Sequence, residues 1–171
     1  VFIPAPFKWL PGDKSVVVAS EDYYVLGILT SKVHRVWMEA QSSTLKADIA
    51  YTHKTCFETF PFPQYPGVGA SCKGISQGKG GSGKSERPKG LASASPFAPT
   101  EKIRNKTIEL HQYRTEQMSK KQWGITQLYN AYFHEPASKL YQLHQELDKL
   151  VMQAYNFKAD DDILAKLLEL N

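Results

Sequence analysis

Apolar and polar positions alternate with a helical period over residues 25–41. At about 100° per residue, Leu26, Leu29, Val33, Val36, Trp37 and Ala40 fall on roughly a third of the helical circle. Ser31, His34, Arg35 and Gln41 take the other side. This pattern predicts one amphipathic helix, with Ser20, Glu21 and Asp22 placed to accept hydrogen bonds from its free N–H groups. Upstream, Val1-Phe2-Ile3-Pro4 and Ser15-Val16-Val17-Val18-Ala19 favour short strands separated by a Pro11-Gly12-Asp13 turn. The first of these strands has no upstream partner in the chain, so a truncated start is expected. Residues 55–60 favour a further strand, ended by Pro61 and Pro63, which cannot donate to a ladder.

The pattern stops at residues 65–98. Eight of the eleven glycines lie there, with many Ser and Lys and almost no large apolar side chain. Such a composition cannot bury enough surface to offset the ordering of its backbone, and it predicts a flexible insertion or linker. Helical periodicity returns at Pro99-Thr100 and predicts a helix to about Gln122, then a short one over Thr126–Phe133. A third starts near Pro136, with Leu140, Leu143, Leu147, Leu150, Val151 and Ala154 on one face. Asp160, Asp161 and Asp162 place negative charge at the start of a fourth, with Ile163, Leu164, Leu167 and Leu168 as its core. The fold class expected is therefore α+β. A short mixed β-sheet with a packed helix occupies residues 1–64, the insertion 65–98, and a helical module 99–171. About 70 residues is small for an autonomous core, so the helices are expected to pack on the rest of a larger protein.

Charge changes this picture little. The 171 residues carry a formal net charge of +4. The excess lies in the insertion, where Lys73, Lys79, Lys84, Arg87 and Lys89 face a single Glu86, and the remaining body is balanced. A stand-alone nucleic-acid binder usually shows a basic stripe, so this body fits better as part of a larger surface. Cys56 and Cys72 form no CxxC pair, which suits a reduced, cytoplasmic setting. No apolar run approaches the ~20 residues of a membrane helix.

Two candidate chemistries compete. Gly78 to Ser85 spells the phosphate-loop pattern G-x4-G-K-S/T. That pattern functions only between a buried strand and a helix, and neither flank qualifies, because Pro88 and Gly90 stop a helix on one side and no apolar strand precedes it on the other. The histidines His34, His53, His111, His134 and His144 show no pairing at i, i+4, and no metal or catalytic cofactor site is expected. The sharper candidate is the stretch from Thr44 to Thr55. It gathers Lys46, His53 and Lys54 with the hydroxyls of Thr44, Tyr51, Thr52 and Thr55, donors suited to phosphate oxygens.

A series of ordered motifs then points to a family. Phe2-Ile3-Pro4 is followed by Val16-Val17-Val18, and then by Asp22-Tyr23-Tyr24 with Gly27-Ile28-Leu29-Thr30-Ser31. His34-Arg35-Val36-Trp37 comes next, then Thr44-Leu45-Lys46-Ala47-Asp48 with Tyr51-Thr52, and Phe57-Glu58-Thr59-Phe60-Pro61-Phe62-Pro63 closes the run. The tail adds Trp123-Gly124-Ile125-Thr126-Gln127-Leu128-Tyr129, and Leu140 through Val151 with His144, Leu147 and Asp148. This order resembles the back half of the target-recognition region, and the helical tail, of bacterial DNA adenine methyltransferases of the MmeI-like restriction-modification type. The resemblance implies double-stranded DNA as partner, a missing upstream methyltransferase domain, and S-adenosylmethionine as cofactor of that parent rather than of this chain. The family's N-P-P-Y/F motif does not occur here, so no catalytic residue is carried over. The DNA-facing set expected is Thr44, Lys46, Tyr51, Thr52 and Lys54, with Lys8 and Arg35 added, and Trp37, Phe57, Phe60 and Phe62 are expected in the core. The competing expectation is a non-enzymatic helical protein-interaction module, supported by the balanced charge and the leucine-rich faces.

Overall fold

The computed structural model describes residues 2–5, 15, 17–45, 48–63 and 98–171. In chain order these form α1 (Tyr23–Thr30), α2 (Lys32–Gln41), the strands β1 (Ser43–Leu45) and β2 (Asp48–Ala50), a single π-helical turn (His53–Phe57), α3 (Ala98–Lys121), α4 (Ile125–Tyr132), α5 (Lys139–Ala154) and α6 (Ile163–Leu170). The described part is thus helical, and this overturns the expected α+β fold with a mixed sheet. Its β structure is confined to one small antiparallel hairpin, in which Thr44 lies opposite Ile49. Residues 2–5 and 17–20 form no strand, and Val17 is 61% exposed rather than buried. Residues 53–57 wind into a π-turn instead of extending, closed by the Glu58 N–H donating to the His53 carbonyl at 2.9 Å. The insertion with its phosphate-loop pattern lies outside the described residues, as does Cys72.

The single helix expected over 25–41 is two. The backbone of Ser31 is extended, with φ −73° and ψ 163°, so it ends α1 and opens α2. Asp22 caps α1, accepting from the Tyr24 N–H at 2.8 Å. It also binds Arg104 of α3 through both carboxylate oxygens, at 2.9 and 3.0 Å, and the guanidinium holds its pKa below the usual value. One side chain therefore starts α1 and fixes it to α3. Gly27 sits where the two helices meet; a Cβ there would run into the Thr107 hydroxyl and lie 2.8 Å from Ile103 Cγ2.

The tail follows its periodicity closely. Ser138 caps α5 through the Tyr141 N–H, so Pro136 falls in the turn before the helix rather than in its first turn. Asp162 caps α6, accepting from Leu164 and Ala165. α3 and α5 each end with a left-handed residue, Gln122 at φ 54° and Asn156 at φ 58°. The Trp123 N–H then reaches back to the Met118 carbonyl at 3.0 Å, and the Phe157 N–H to Met152 at 2.9 Å, so each helix end has a carbonyl satisfied by the chain that leaves it.

One core joins the first 63 residues to the tail. Ile28, Val33, Trp37 and Phe60 share it with Ile103, Leu110, Leu128, Leu140, Leu147, Val151 and Leu167. α3 is the spine, with α1 and α5 packed on it, and α2 lies on α5 and α6. Tyr155 at the end of α5 donates its hydroxyl to the Pro61 carbonyl at 2.9 Å, tying the proline-bounded segment to the tail. Leu168, expected in the core, is 53% exposed, because the buried stripe of α6 runs through Ile163 and Leu167. Among the described residues no helix is long and apolar enough to cross a membrane.

Candidate nucleic-acid interface

The π-turn is a short polar projection on an apolar anchor. Cys56 is fully buried at its base and Phe60 follows at 4% exposure, while Thr52, His53, Lys54 and Thr55 are exposed. The Thr52 and Thr55 hydroxyls bond to each other, and the Thr59 hydroxyl donates to the Thr55 carbonyl at 2.6 Å. These bonds restrict the turn's side chains before any ligand arrives, which lowers the entropy lost on binding. Lys54 makes no ion pair among the described residues. The turn therefore offers an ammonium and hydroxyls to solvent from a fixed base, a donor set that suits phosphate oxygens.

Tyr51 connects this turn to α2. Its hydroxyl lies 3.2 Å from His34 Nε2, and its ring meets Phe2 edge-on at 5.5 Å. Burial, and then nearby Cys56, push its pKa up to about 12, so it remains a neutral phenol. His34 was placed on the polar side by its spacing, yet it is 1% exposed and packed edge-on to Phe60 at 4.5 Å. Burial lowers its pKa to about 4, leaving a neutral ring. Ser31, also placed on the polar side, is buried because its hydroxyl turns back to the Ile28 carbonyl at 2.7 Å.

The other expected contacts are distributed as follows. Thr44 sits in β1, Lys46 and Lys8 lie outside the described residues, and Arg35 is half-buried with its guanidinium 5.5 Å from the centre of the Phe133 ring. The structure thus places Lys54 on the π-turn, Thr52 at its N-cap and half-buried Tyr51 just before it, and gives Arg35 a place on α2 against the tail. Of the expected core aromatics, Trp37 and Phe60 are buried, while Phe57 and Phe62 are half-buried and pack on each other at 5.8 Å.

Sequence reasoning passed over a set of polar groups behind this surface. Arg114 of α3 is 2% exposed; it donates to the Phe2 carbonyl and to His144 Nε2, both at 3.3 Å. Tyr129 of α4 lies 2.7 Å from the same nitrogen. Because arginine can only donate, His144 Nε2 carries the lone pair and its proton is on Nδ1. Burial, followed by the charges of Arg114 and Arg35, lowers the His144 pKa to about 3. One turn further along α5, Asp148 is buried with its pKa raised by burial, and its carboxylate accepts from the Lys32 N–H at 2.7 Å. A signal for these residues existed. Thr100, Ile103, Thr107, Leu110 and Arg114 follow a 3–4 spacing, and His144 and Asp148 interrupt the stripe of Leu140, Leu143, Leu147 and Val151, so each polar residue stands at a buried position. Among the described residues no group of His, Cys, Asp and Glu is placed to hold a metal.

Comparison with known proteins agrees with the motif order. Residues 4–64 match the family model described as MmeI, target recognition domain. The chain is 28% identical over 160 residues to DNA methyltransferase A of Bacillus subtilis (strain 168), an alignment that covers 90% of the chain. The chain spans 14% of the length of that relative. No solved structure matches it.

Proposed function

We propose that this chain supplies the DNA-gripping surface and closing helical module of a site-specific DNA N6-adenine methyltransferase of the restriction-modification type. The observation that carries this reading is the match of residues 4–64 to the MmeI target recognition domain. The alignment to a DNA methyltransferase through 90% of the chain supports extending it into the tail. In this reading the π-turn with Thr52 and Lys54, together with Thr44, Lys46, Tyr51, Arg35 and Lys8, holds the phosphate backbone. Phosphate contacts fix register on the duplex, so base-reading groups elsewhere in the protein can find their positions. Methyl transfer from S-adenosylmethionine to a flipped adenine belongs to the remainder of the protein.

The test is methyl transfer to duplex DNA by the full-length protein carrying Thr52→Ala and Lys54→Ala. A DNA-gripping role raises KM for DNA and leaves KM for S-adenosylmethionine unchanged. Equal values of both constants in variant and parent would remove these residues from the interface.

A further inference from the structure

Three buried polar atoms that lack a hydrogen-bond partner belong to residues lining one cavity of about 180 Å³: Arg114 Nε, His34 Nδ1 and Thr30 Oγ1. Arg35, Tyr129 and Phe133 line it too, so the cavity has two guanidinium groups and aromatic walls. Arg114 is 2% exposed and its guanidinium stays charged in any protein environment. Its bonded neighbours, the Phe2 carbonyl, His144 and the Tyr129 hydroxyl, are all neutral, and its guanidinium lies 5.2 Å from the centre of the Tyr129 ring. No carboxylate pairs with it among the described residues. An ion at that depth without a counter-charge is costly, and natural proteins pair such ions.

We infer that this cavity is a carboxylate-binding site, in which Arg114 receives the group with Arg35 and the Thr30 hydroxyl alongside. A guanidinium offers five N–H donors in a planar fork; Phe2, His144 and Tyr129 engage its terminal nitrogens, and the Nε–H has no partner. The flat two-oxygen edge of a carboxylate matches that fork and fits between aromatic walls. A backbone phosphate of duplex DNA is attached to its sugars on both sides and does not reach a side chain buried to this extent. The site shares Arg35 with the proposed DNA-facing set but lies apart from the π-turn, and its central group, Arg114, has no part in that set. The carboxylate comes either from a small free acid or from an Asp or Glu side chain of the same protein.

The experiment follows the Arg114 Nε–H by NMR in the full-length protein, assigned through loss of the signal in Arg114→Lys, with acetate, phosphate and chloride titrated at equal ionic strength. A free-acid site gives saturable downfield movement and at least about tenfold slower hydrogen exchange with acetate, an effect weakened in Arg35→Gln, whose rim position spares the core. A side-chain occupant gives a signal already downfield and protected before any addition, and unresponsive to acetate. A signal that exchanges freely and ignores acetate, or one that responds to phosphate more than to acetate, overturns the inference. Should Arg114→Lys fail to fold, Arg35→Gln and the three anions still separate these results.

Discussion

The carboxylate of Asp148 accepts a hydrogen bond from the backbone N–H of Lys32 at 2.7 Å, across 116 residues of sequence. Ser31 stands at the N-cap position of α2 but makes no side-chain capping bond there. Asp148, on α5, satisfies one of the free donors that a helix start leaves, and it places a negative group at the positive end of α2. The segment matched to a recognition domain is therefore held in place by the helical tail beyond it. Asp148→Ala should destabilise the protein by about 1–3 kcal/mol, the range for a lost cap with a buried donor left unpaired. Asp148→Asn keeps an acceptor and should lose less. Urea unfolding of the two variants measures the difference.

Acid should weaken the fold through its buried histidines. His34 and His144 have pKa values lowered from 6.5 to about 4 and about 3, so the folded state resists protonation where the unfolded chain accepts it. Their contribution is complete above the unfolded value and is lost progressively as pH falls below 6.5 toward the folded values. Each histidine contributes a slope of up to about 1.4 kcal/mol per pH unit in that window. Asp148, raised by burial, acts in the opposite sense closer to its ordinary value of 3.8, so the decline is clearest in the upper part of the window. Unfolding midpoints taken across that range should fall with pH, and His144→Gln should flatten the dependence.

Gly27→Ala should cost about 1–3 kcal/mol by overpacking. The added methyl would meet Thr107 and Ile103, and a shift of α1 would disturb the Asp22–Arg104 pair beside it. Thermal unfolding of Gly27→Ala, alone and combined with Thr107→Ala, checks this; the second alanine removes the hydroxyl that the new methyl would meet, so partial relief is expected.

Leu147 is fully buried on α5, and Leu147→Ala should cost about 2–5 kcal/mol. Leu168, at 53% exposure, gives the contrast: Leu168→Ala should stay within about 0.5 kcal/mol. Equal effects of the two substitutions would mean that the assigned core faces are wrong.

The tail could be read from sequence because its signals are local. Leucine spacing along α5 and the Asp162 cap of α6 are written within a few turns of chain. The break at Ser31 could not be read that way, since the group that caps α2 comes from α5. The strands expected at 15–19 and 55–60 rested on β-branched and aromatic propensity, which tertiary context overrides. Val17 is exposed, and anchoring of Cys56 winds residues 53–57 into a π-turn. The burial of Arg114, His144 and Asp148 is written in their spacing, but polarity alone points the other way; hydrogen bonds let these groups be buried. Several motifs behind the family resemblance join the two segments: Asp22 binds Arg104, Gly27 meets Thr107 and Ile103, Trp37 shares the core with the tail leucines, and Asp148 caps α2.

The salt dependence of DNA affinity is the most direct test of the π-turn as a phosphate-binding surface. Each lost phosphate contact should reduce the steepness of log affinity against log salt by about 0.9, and weaken binding to specific and non-specific duplexes alike. Lys54→Ala in the full-length protein is expected to show that reduction, and Lys46→Ala a second one of similar size. An unchanged slope and affinity in both variants would contradict the account, because a duplex gripped elsewhere would not register the loss of these charges.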